Sequence, residues 1–131
     1  MSKKFLKKII AQNPDDLRVI SALCSDAQVN QSQIKFLKTN KVFILPMERK
    51  SEDDTEFKKK ISSILKFDFI DQSKSKNINQ ENITNKLKLL AIDLFKKGNN
   101  YEIVLLFSNN GVITLSAEIV EVTLEDIRQN D

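Results

Sequence analysis

The chain has 131 residues, a length that is typical of one domain and short for two. Its composition, 40% hydrophobic and 30% charged, is that of a globular protein rather than a disordered one. No run approaches the ~20 apolar residues of a membrane-spanning helix, and the lysine-rich start has no apolar signal-peptide region. We therefore expect a single cytoplasmic domain over residues 1–131, without membrane contact.

Two residue counts restrict the chemistry that this chain can perform. It has no histidine and one cysteine, Cys24, so it can form neither an internal disulfide nor a Ser-His or Cys-His nucleophile pair. A zinc site needs several cysteine or histidine ligands. General acid–base catalysis would depend on Asp, Glu, Lys or Tyr101. The sequence predicts a protein that is not an enzyme and uses no metal or cofactor.

The formal charge of +3 raises the question of nucleic-acid binding. Of the 21 basic residues 18 are lysine, and Ile and Asn are abundant while Gly and Pro number two each. This bias is typical of an AT-rich genome, which explains the lysines without a polyanionic ligand. Dedicated phosphate and base readers favour arginine for its bidentate hydrogen bonding. Nucleic-acid binding is therefore the less favoured interpretation.

The N-terminal quarter predicts a strand and then a helix. Residues 4–12 are interpreted as a strand, and Asn13 and Pro14 then mark a helix start. Two carboxylates follow, where the helix dipole favours negative charge. The helix is expected over residues 14–28, with Cys24 buried as a small hydrophobe. Its apolar stripe consists of Leu17, Ile20, Leu23, Cys24 and Ala27.

The middle of the chain alternates strands with polar segments. Residues 34–36 and 42–45 predict a β-hairpin, with Pro46 ending the second strand or placing it at an edge. Residues 61–70 alternate as a half-buried strand. We expect mobile loops at the two polar segments that flank it, 48–60 and 71–85, and the second is long enough to be either functional or a disordered insertion.

The C-terminal third predicts a run of hairpins. Strands are expected at 87–96 and 101–107, and the sequence Asn109-Asn110-Gly111 is a strong turn signal before a last strand at 112–122. Residues 123–127 are interpreted as a closing helical turn capped by Thr123. The predicted fold class is α+β: an antiparallel meander of about six strands, twisted or curled into a partly closed barrel, with one N-terminal helix.

Several short runs resemble one protein family. The sequence DLRVISAL at residues 16–23, followed by Asp26 and Ala27, resembles the signature of a bacterial family known as domain of unknown function 2948. The segments at 87–92 and 121–127 are similar to later blocks of that family. The chain differs where the family has a strand end with arginine and tryptophan, here residues 47–50, and where it has a cysteine, here Ile119. The resemblance implies a cytoplasmic bacterial setting and no particular activity.

Few side chains qualify as candidate site residues. Asp93 lies inside an apolar strand, where it is either a buried base with a raised pKa or a residue at the solvated end of the sheet face. The pairs Asp15-Asp16 and Asp53-Asp54 are interpreted as a helix N-terminus and a solvated loop in preference to cation sites. Three serines lack a histidine partner and are not nucleophiles: Ser21, Ser25 and Ser32. The sequence thus nominates no catalytic, cofactor-binding or metal-binding residue.

The favoured function is that of a non-enzymatic interaction module, which binds a protein partner or a second copy of itself through a sheet edge or an apolar strand face. Weak binding of nucleic acid or another polyanion through lysines is the alternative. One helix cannot cover both faces of six strands, so either the sheet curls on itself or a second chain covers it. Residues 1–14 carry a net charge of +4 and residues 118–131 a net charge of −4. These charges belong either to two solvated ends or to ends that pair electrostatically within or between chains. A homodimer through sheet faces or edges is the expected assembly, and the opposite charges would help to fix its register.

Overall fold

The structure is a computed structural model, which describes residues 6–50, 60–79, 81 and 86–130. Within these ranges one α-helix and ten strands follow one another in the order β1, α1, β2 to β10. Their bounds are β1 Lys8–Ala11, α1 Pro14–Leu23, β2 Ala27–Asn30, β3 Lys35–Leu37, β4 Val42–Lys50, β5 Lys60–Phe67, β6 Ile70–Lys76, β7 Lys86–Lys97, β8 Asn100–Phe107, β9 Val112–Ala117 and β10 Val122–Asn130. A 3₁₀ turn at Gln31–Gln33 separates β2 from β3.

All strands belong to one antiparallel sheet with the order β1-β10-β5-β4-β2-β7-β8-β9-β6, and β3 pairs with β4 beside this path. The α+β class with one N-terminal helix is confirmed for the described residues, but the expectation of about six strands is wrong. Of the additional strands, β2 is short and β6 is polar, so both carry little apolar periodicity, whereas β10 occupies residues that were assigned to the preceding strand and to a helical turn. Among the described strands the sheet is not closed, because β1 and β6 each have one neighbour.

Helix α1 begins as predicted and ends earlier. Asn13 Oδ1 accepts a hydrogen bond from the Asp16 N–H at 2.9 Å, and Pro14 occupies the first turn. The predicted end at residue 28 is wrong, because the helix ends at Leu23 and Asp26 adopts a left-handed φ of 65°. The Asp26 N–H donates to the carbonyl of Leu89 at 2.8 Å, which directs the following residues into the sheet as β2.

The second predicted mobile loop is partly wrong, because its first six residues form most of β6. Strand β6 is paired with β9 and exposes most of its side chains, so it has no apolar face that a sequence pattern could reveal. The chain reaches it through Phe69, whose φ of 60° breaks the strand and leaves that ring exposed while Ile70 is buried. The predicted half-buried strand at 61–70 is confirmed as β5 as far as Phe67, with alternate residues buried from Ile61, but its last three residues do not belong to β5.

The first predicted mobile loop, 48–60, is wrong at both of its ends, where the chain forms strands β4 and β5. Residues 48–50 belong to β4, and residues 51–59 lie outside the described residues, as do 80 and 82–85. Pro46 neither ends β4 nor lies at an edge strand, since it pairs with Ile64 of β5. On the other side of β4, strand β3 pairs with residues up to Ile44, and strand β2 pairs at Glu48. Pro46 lies between these two partners, where a missing N–H costs the ladder least.

The predicted meander of β7, β8 and β9 is confirmed. Asn109 and Asn110 both have positive φ, 60° and 63°, as a type I′ turn requires. The long last strand and its closing helical turn are wrong: β9 ends at Ala117, and the residues from Val122 onward form β10 between β1 and β5. Every second side chain from Val122 to Asp126 is buried, so the two-residue period of a strand continues through the segment that the sequence predicts to be a helical turn.

One face of the sheet and the apolar stripe of α1 enclose the core. Leu17 and Ile20 of the helix pack with buried residues contributed by most strands. The sheet bends back on itself so that the Ile70 N–H donates to the carbonyl of Lys41, at the start of β4, at 2.9 Å. The curl of the sheet and helix α1 together cover the inner face. No helix of the described residues is long and apolar enough to cross a membrane.

Candidate functional site

The most buried polar group of the described chain is an ion pair between β4 and β10. Arg49 and Asp126 have side chains that are 1% and 0% exposed. Arg49 donates from Nε to Asp126 Oδ1 at 3.1 Å and from Nη2 to Oδ2 at 2.7 Å. The hydroxyl of Ser63 on β5 donates to Oδ1 at 2.7 Å, and the Lys7 N–H donates to Oδ2 at 2.9 Å. The carboxylate therefore links β4, β5, β10 and the entry to β1.

The electrostatics of this pair indicate a structural role. Burial alone would raise the pKa of Asp126, but the hydrogen bonds from Arg49, Ser63 and Lys7 outweigh it and hold that pKa below its usual range. No buried side-chain nitrogen or oxygen of the described residues lacks a hydrogen-bond partner. The pair is enclosed and fully bonded, so it presents no group to a substrate.

Cys24 lies at the C-terminal end of α1 and is buried, as predicted. Burial raises its pKa to about 12, with smaller opposing effects of Arg49, which lowers it, and Asp126, which raises it. The thiol is therefore protonated at neutral pH and is not the thiolate that nucleophilic chemistry requires.

The structure does not bring the nominated residues together. Asp93 is exposed, in agreement with the solvated alternative. Asp15 pairs with Arg18 and the N–H of Asp16 is capped by Asn13, both at the helix start. Asp53 and Asp54 lie outside the described residues. Among the described residues, no group of three or more Asp, Glu, Cys or His side chains could hold a metal ion.

The three serines have structural surroundings. Ser21 Oγ accepts the N–H of Ile92 at 3.0 Å and so attaches the helix to β7. Ser32 donates to Asn30 Oδ1 at 2.8 Å, and Ser25 is exposed in the turn after the helix. None of these contacts places a serine beside a base that could activate it.

A groove lies between β3 and β6, which we call the edge groove. Strand β6 pairs with β9 on one side, and β3 pairs with β4 on one side. No described strand pairs with the other side of either one, and residues of both line the groove. Two hydrogen bonds mark its ends: Ile70 N–H to Lys41 O at 2.9 Å, and Asn79 N–H to Gln31 Oε1 at 2.6 Å. Between these contacts the described residues form no strand ladder across the groove.

The edge groove has an apolar floor and a volume of about 420 Å³. Phe36 and Phe43 lie 6.5 Å apart between ring centroids, and Phe43 meets Phe67 edge-on at 5.9 Å, so the aromatic contacts continue from the groove into the core. Ser73 and Ser75 contribute hydroxyls on the β6 side. The remaining lining residues are Ile34, Lys35, Leu37, Ile78 and Ile113.

The charge on the two edge strands is positive. Lys35 on β3 and Lys74 and Lys76 on β6 are exposed. Asp71, the one acid on either strand, is paired with Lys41 at 3.0 Å, and Lys41 also lies 3.6 Å from Glu118. The hydrogen bond to Asp71, reinforced by both carboxylates, raises the pKa of Lys41. Lys35, Lys74 and Lys76 form no ion pair within the described part of the chain.

Sequence reasoning missed both the ion pair and the groove. Arg49 and Asp126 are 77 positions apart, and no local pattern connects them. The signal for Asp126 was available in β10, where it continues the inward period of Val122 and Leu124. In β6, Ser73 and Ser75 alternate with Lys74 and Lys76, and a segment that is polar on both faces predicts a loop as readily as a strand.

These features define a small α+β protein in which an incompletely paired antiparallel sheet leaves two strand edges facing one groove. The chain belongs to the family described as "Protein of unknown function (DUF2948)", whose model matches residues 7–131. This match confirms the family that the sequence resembles. No curated protein and no solved structure matches the chain.

Proposed function

We propose that this protein is a non-enzymatic interaction module that binds a protein partner at the edge groove. The observation that carries the proposal is the pair of unpaired strand edges above an apolar floor. An edge strand directs alternate backbone N–H and C=O groups away from its neighbour, and an extended peptide can pair with them. The cytoplasmic setting is part of the proposal, and it is supported by a composition with a single cysteine.

The groove is a better candidate than a second depression of similar volume on the described surface. That depression, about 400 Å³, lies over the outer face of the sheet and is lined by residues that include Gln28, Glu48 and Ser62. These residues belong to β2, β4 and β5, each of which pairs with strands on both sides. Their backbone groups are engaged on both sides, whereas no described strand pairs with the second side of β3 or of β6.

The proposal can be tested with a random peptide library displayed on phage and selected on the purified protein. The discriminating variant is Ser75→Trp, which fills the groove with a bulky side chain, and the control is Asn99→Trp in the exposed β7–β8 turn. We expect selected peptides to bind the wild type and the control and to lose at least about tenfold in affinity to Ser75→Trp, which is about 1.4 kcal/mol. Circular dichroism and thermal melts establish that both variants fold.

If no peptide is enriched, or if the enriched peptides bind Ser75→Trp as well as the wild type, the groove is not the binding site.

Polyanion binding through lysines is the second candidate function, and it is supported by the three lysines of the edge strands. It predicts affinity for labelled RNA or DNA that collapses between low and physiological salt. Sub-micromolar affinity at physiological salt would reverse the order of the two proposals.

A further inference from the structure

We propose that the partner segment is acidic and extended, that it pairs with the free edge of β6, and that acidic and apolar residues alternate along it. This inference rests on the proposed function and specifies its ligand. It is argued from three properties of the groove: the backbone of β6, the alternation of its side chains, and the charge around it.

The backbone of β6 favours a peptide over other polymers. A free strand edge presents N–H donors and C=O acceptors in alternation, which a second strand satisfies completely. A phosphodiester backbone offers acceptors alone, so it would leave the carbonyl oxygens of the edge without partners. The groove lining and the two edge strands also contain no arginine, the residue that phosphate sites favour. The contact at Ile70 and the end of β6 at Lys76, where Asn77 turns the chain with a left-handed φ of 61°, limit pairing to residues 71–76, a segment of about six residues.

The side chains of β6 specify the alternation. Ser73 and Ser75 line the groove, so Lys74 and Lys76, which are exposed, lie on the opposite face of the strand. Residues of an added strand lie about 5 Å from those directly opposite them on the same face. In the added strand, the positions opposite the two serines also lie near Phe36 and Ile78, so they favour apolar side chains. Positions that face the two lysines favour Asp or Glu, and lysine or arginine there would be repelled.

The charge around the groove supports the same ligand and argues against a second copy of this chain. The nearby carboxylates of Asp71 and Glu118 already interact with Lys41, so the remaining lysines are not neutralised from within the described structure. Residues 121–125 of the chain, Glu-Val-Thr-Leu-Glu, come closest to the required alternation. They lie at and within β10, which pairs with β1 and β5 on its two sides. The occupant is therefore a segment of another protein.

The test is fluorescence anisotropy with three labelled hexapeptides and the intact protein. The first alternates, Glu-Val-Glu-Leu-Glu-Val; the second has the same composition in blocks, Glu-Glu-Glu-Val-Leu-Val; the third is the first with Lys in place of Glu. We expect the alternating peptide to bind at least about tenfold more tightly than either of the others. Methylation of its backbone nitrogens, which removes the N–H donors, is expected to abolish binding.

Protein variants locate the interaction. Lys74→Glu/Lys76→Glu is expected to weaken binding of the alternating peptide at least about tenfold, and the matched control Lys88→Glu/Lys96→Glu, at exposed positions of β7, is expected to leave it unchanged. Because all four lysines are exposed, these substitutions leave the core intact. Equal binding of the alternating and block peptides, tolerance of N-methylation, or equal loss in both variants would overturn the proposal.

The library selection separates the two proposals. If groove-dependent peptides emerge that lack acidic residues, the interaction module stands and the acidic alternation is wrong. If no groove-dependent peptide emerges, both are wrong. A labelled oligonucleotide that competes with the peptide, and whose binding also needs Lys74 and Lys76, would overturn the assignment of a protein partner.

Discussion

At the residue scale, the ion pair of Arg49 and Asp126 has the largest predicted effect on stability. Arg49→Met leaves the buried carboxylate without its counter-ion, so we expect a loss of about 3–5 kcal/mol in the free energy of unfolding. Lys97→Met is the control, because Lys97 and Glu102 form an exposed pair at 3.4 Å, and it is expected to cost under about 1 kcal/mol. Urea denaturation monitored by circular dichroism measures both. A loss in Arg49→Met as small as that of the control would contradict the prediction.

The double variant Arg49→Met/Asp126→Leu separates the charge from the packing. It removes both ions, so it is expected to lose less stability than Arg49→Met alone if the unpaired carboxylate is the main cost.

The pKa of Asp126 is lower in the folded than in the unfolded chain, so the unfolded state binds more protons at acid pH. The contribution of this group is fully present above about pH 5 and is lost as the pH falls through the folded pKa. Urea titrations at several pH values should show this loss in the wild type and a smaller one in the double variant.

Cys24 provides a second prediction at this scale. Since the thiol is buried and its pKa is raised to about 12, we expect native protein to react slowly with DTNB and denatured protein to react at once. The comparison is Cys24→Ala/Asn99→Cys, whose thiol lies in the exposed β7–β8 turn and should react rapidly without denaturant. Fast labelling of the native wild type would show that Cys24 reaches solvent. Cys24→Ala is expected to leave peptide binding unchanged.

At the element scale, the cap of α1 accounts for part of the helix stability. Asn13→Ala removes the acceptor of the Asp16 N–H and is expected to cost about 1 kcal/mol. Asn13→Ser keeps a capping oxygen and should retain most of the stability. Thermal or urea denaturation of the three proteins measures the difference. Equal stability of the alanine and serine variants would mean that the capping hydrogen bond contributes nothing.

Which elements were predictable from the sequence depended on whether their signal was local. The cap at Asn13 and the Asn109-Asn110 turn are local, and both the helix start and the meander of β7 to β9 follow from them. Strand β6 was missed because an edge strand that is exposed on both faces has no apolar period. The helix end was missed because Ala27 continues a helical spacing, while its burial comes from pairing with Leu89 on β7.

At the scale of the whole molecule, the sheet order could not be read from the sequence. Strand β10 lies between β1 and β5, and β6 pairs with β9, so both pairings join segments that are distant in the chain. The edge groove depends on these pairings, because it exists where β6 returns beside β3. No local pattern of residues 34–37 or 73–78 indicates the other segment. The groove could therefore not be predicted without the fold, although the residue types that line it are evident in the sequence.

The oligomeric state is the remaining prediction at this scale. The dimer hypothesis began from an uncovered sheet face, and the curl of the sheet together with α1 now covers the inner face. What still favours a homodimer is the edge of β1, which has one neighbour among the described strands, and the exposed apolar side chains at the sheet surface, among them Ile10, Phe95 and Ile127. A twofold interface between equivalent edges would pair them without exposing a new edge.

Size-exclusion chromatography with light scattering at micromolar concentration decides the question. A homodimer gives a mass of about twice 15.1 kDa, whereas a single peak at 15.1 kDa would rule out a dimer at that concentration. Ile10→Lys, on β1, and Lys74→Glu, on β6, distinguish the two edges: the variant at the interface should shift the peak toward the monomer, and the other should not. A dimer through β6 would compete with the proposed peptide, so added alternating peptide should dissociate it. A dimer through β1 leaves the edge groove open, and peptide binding and dimerisation would then be independent.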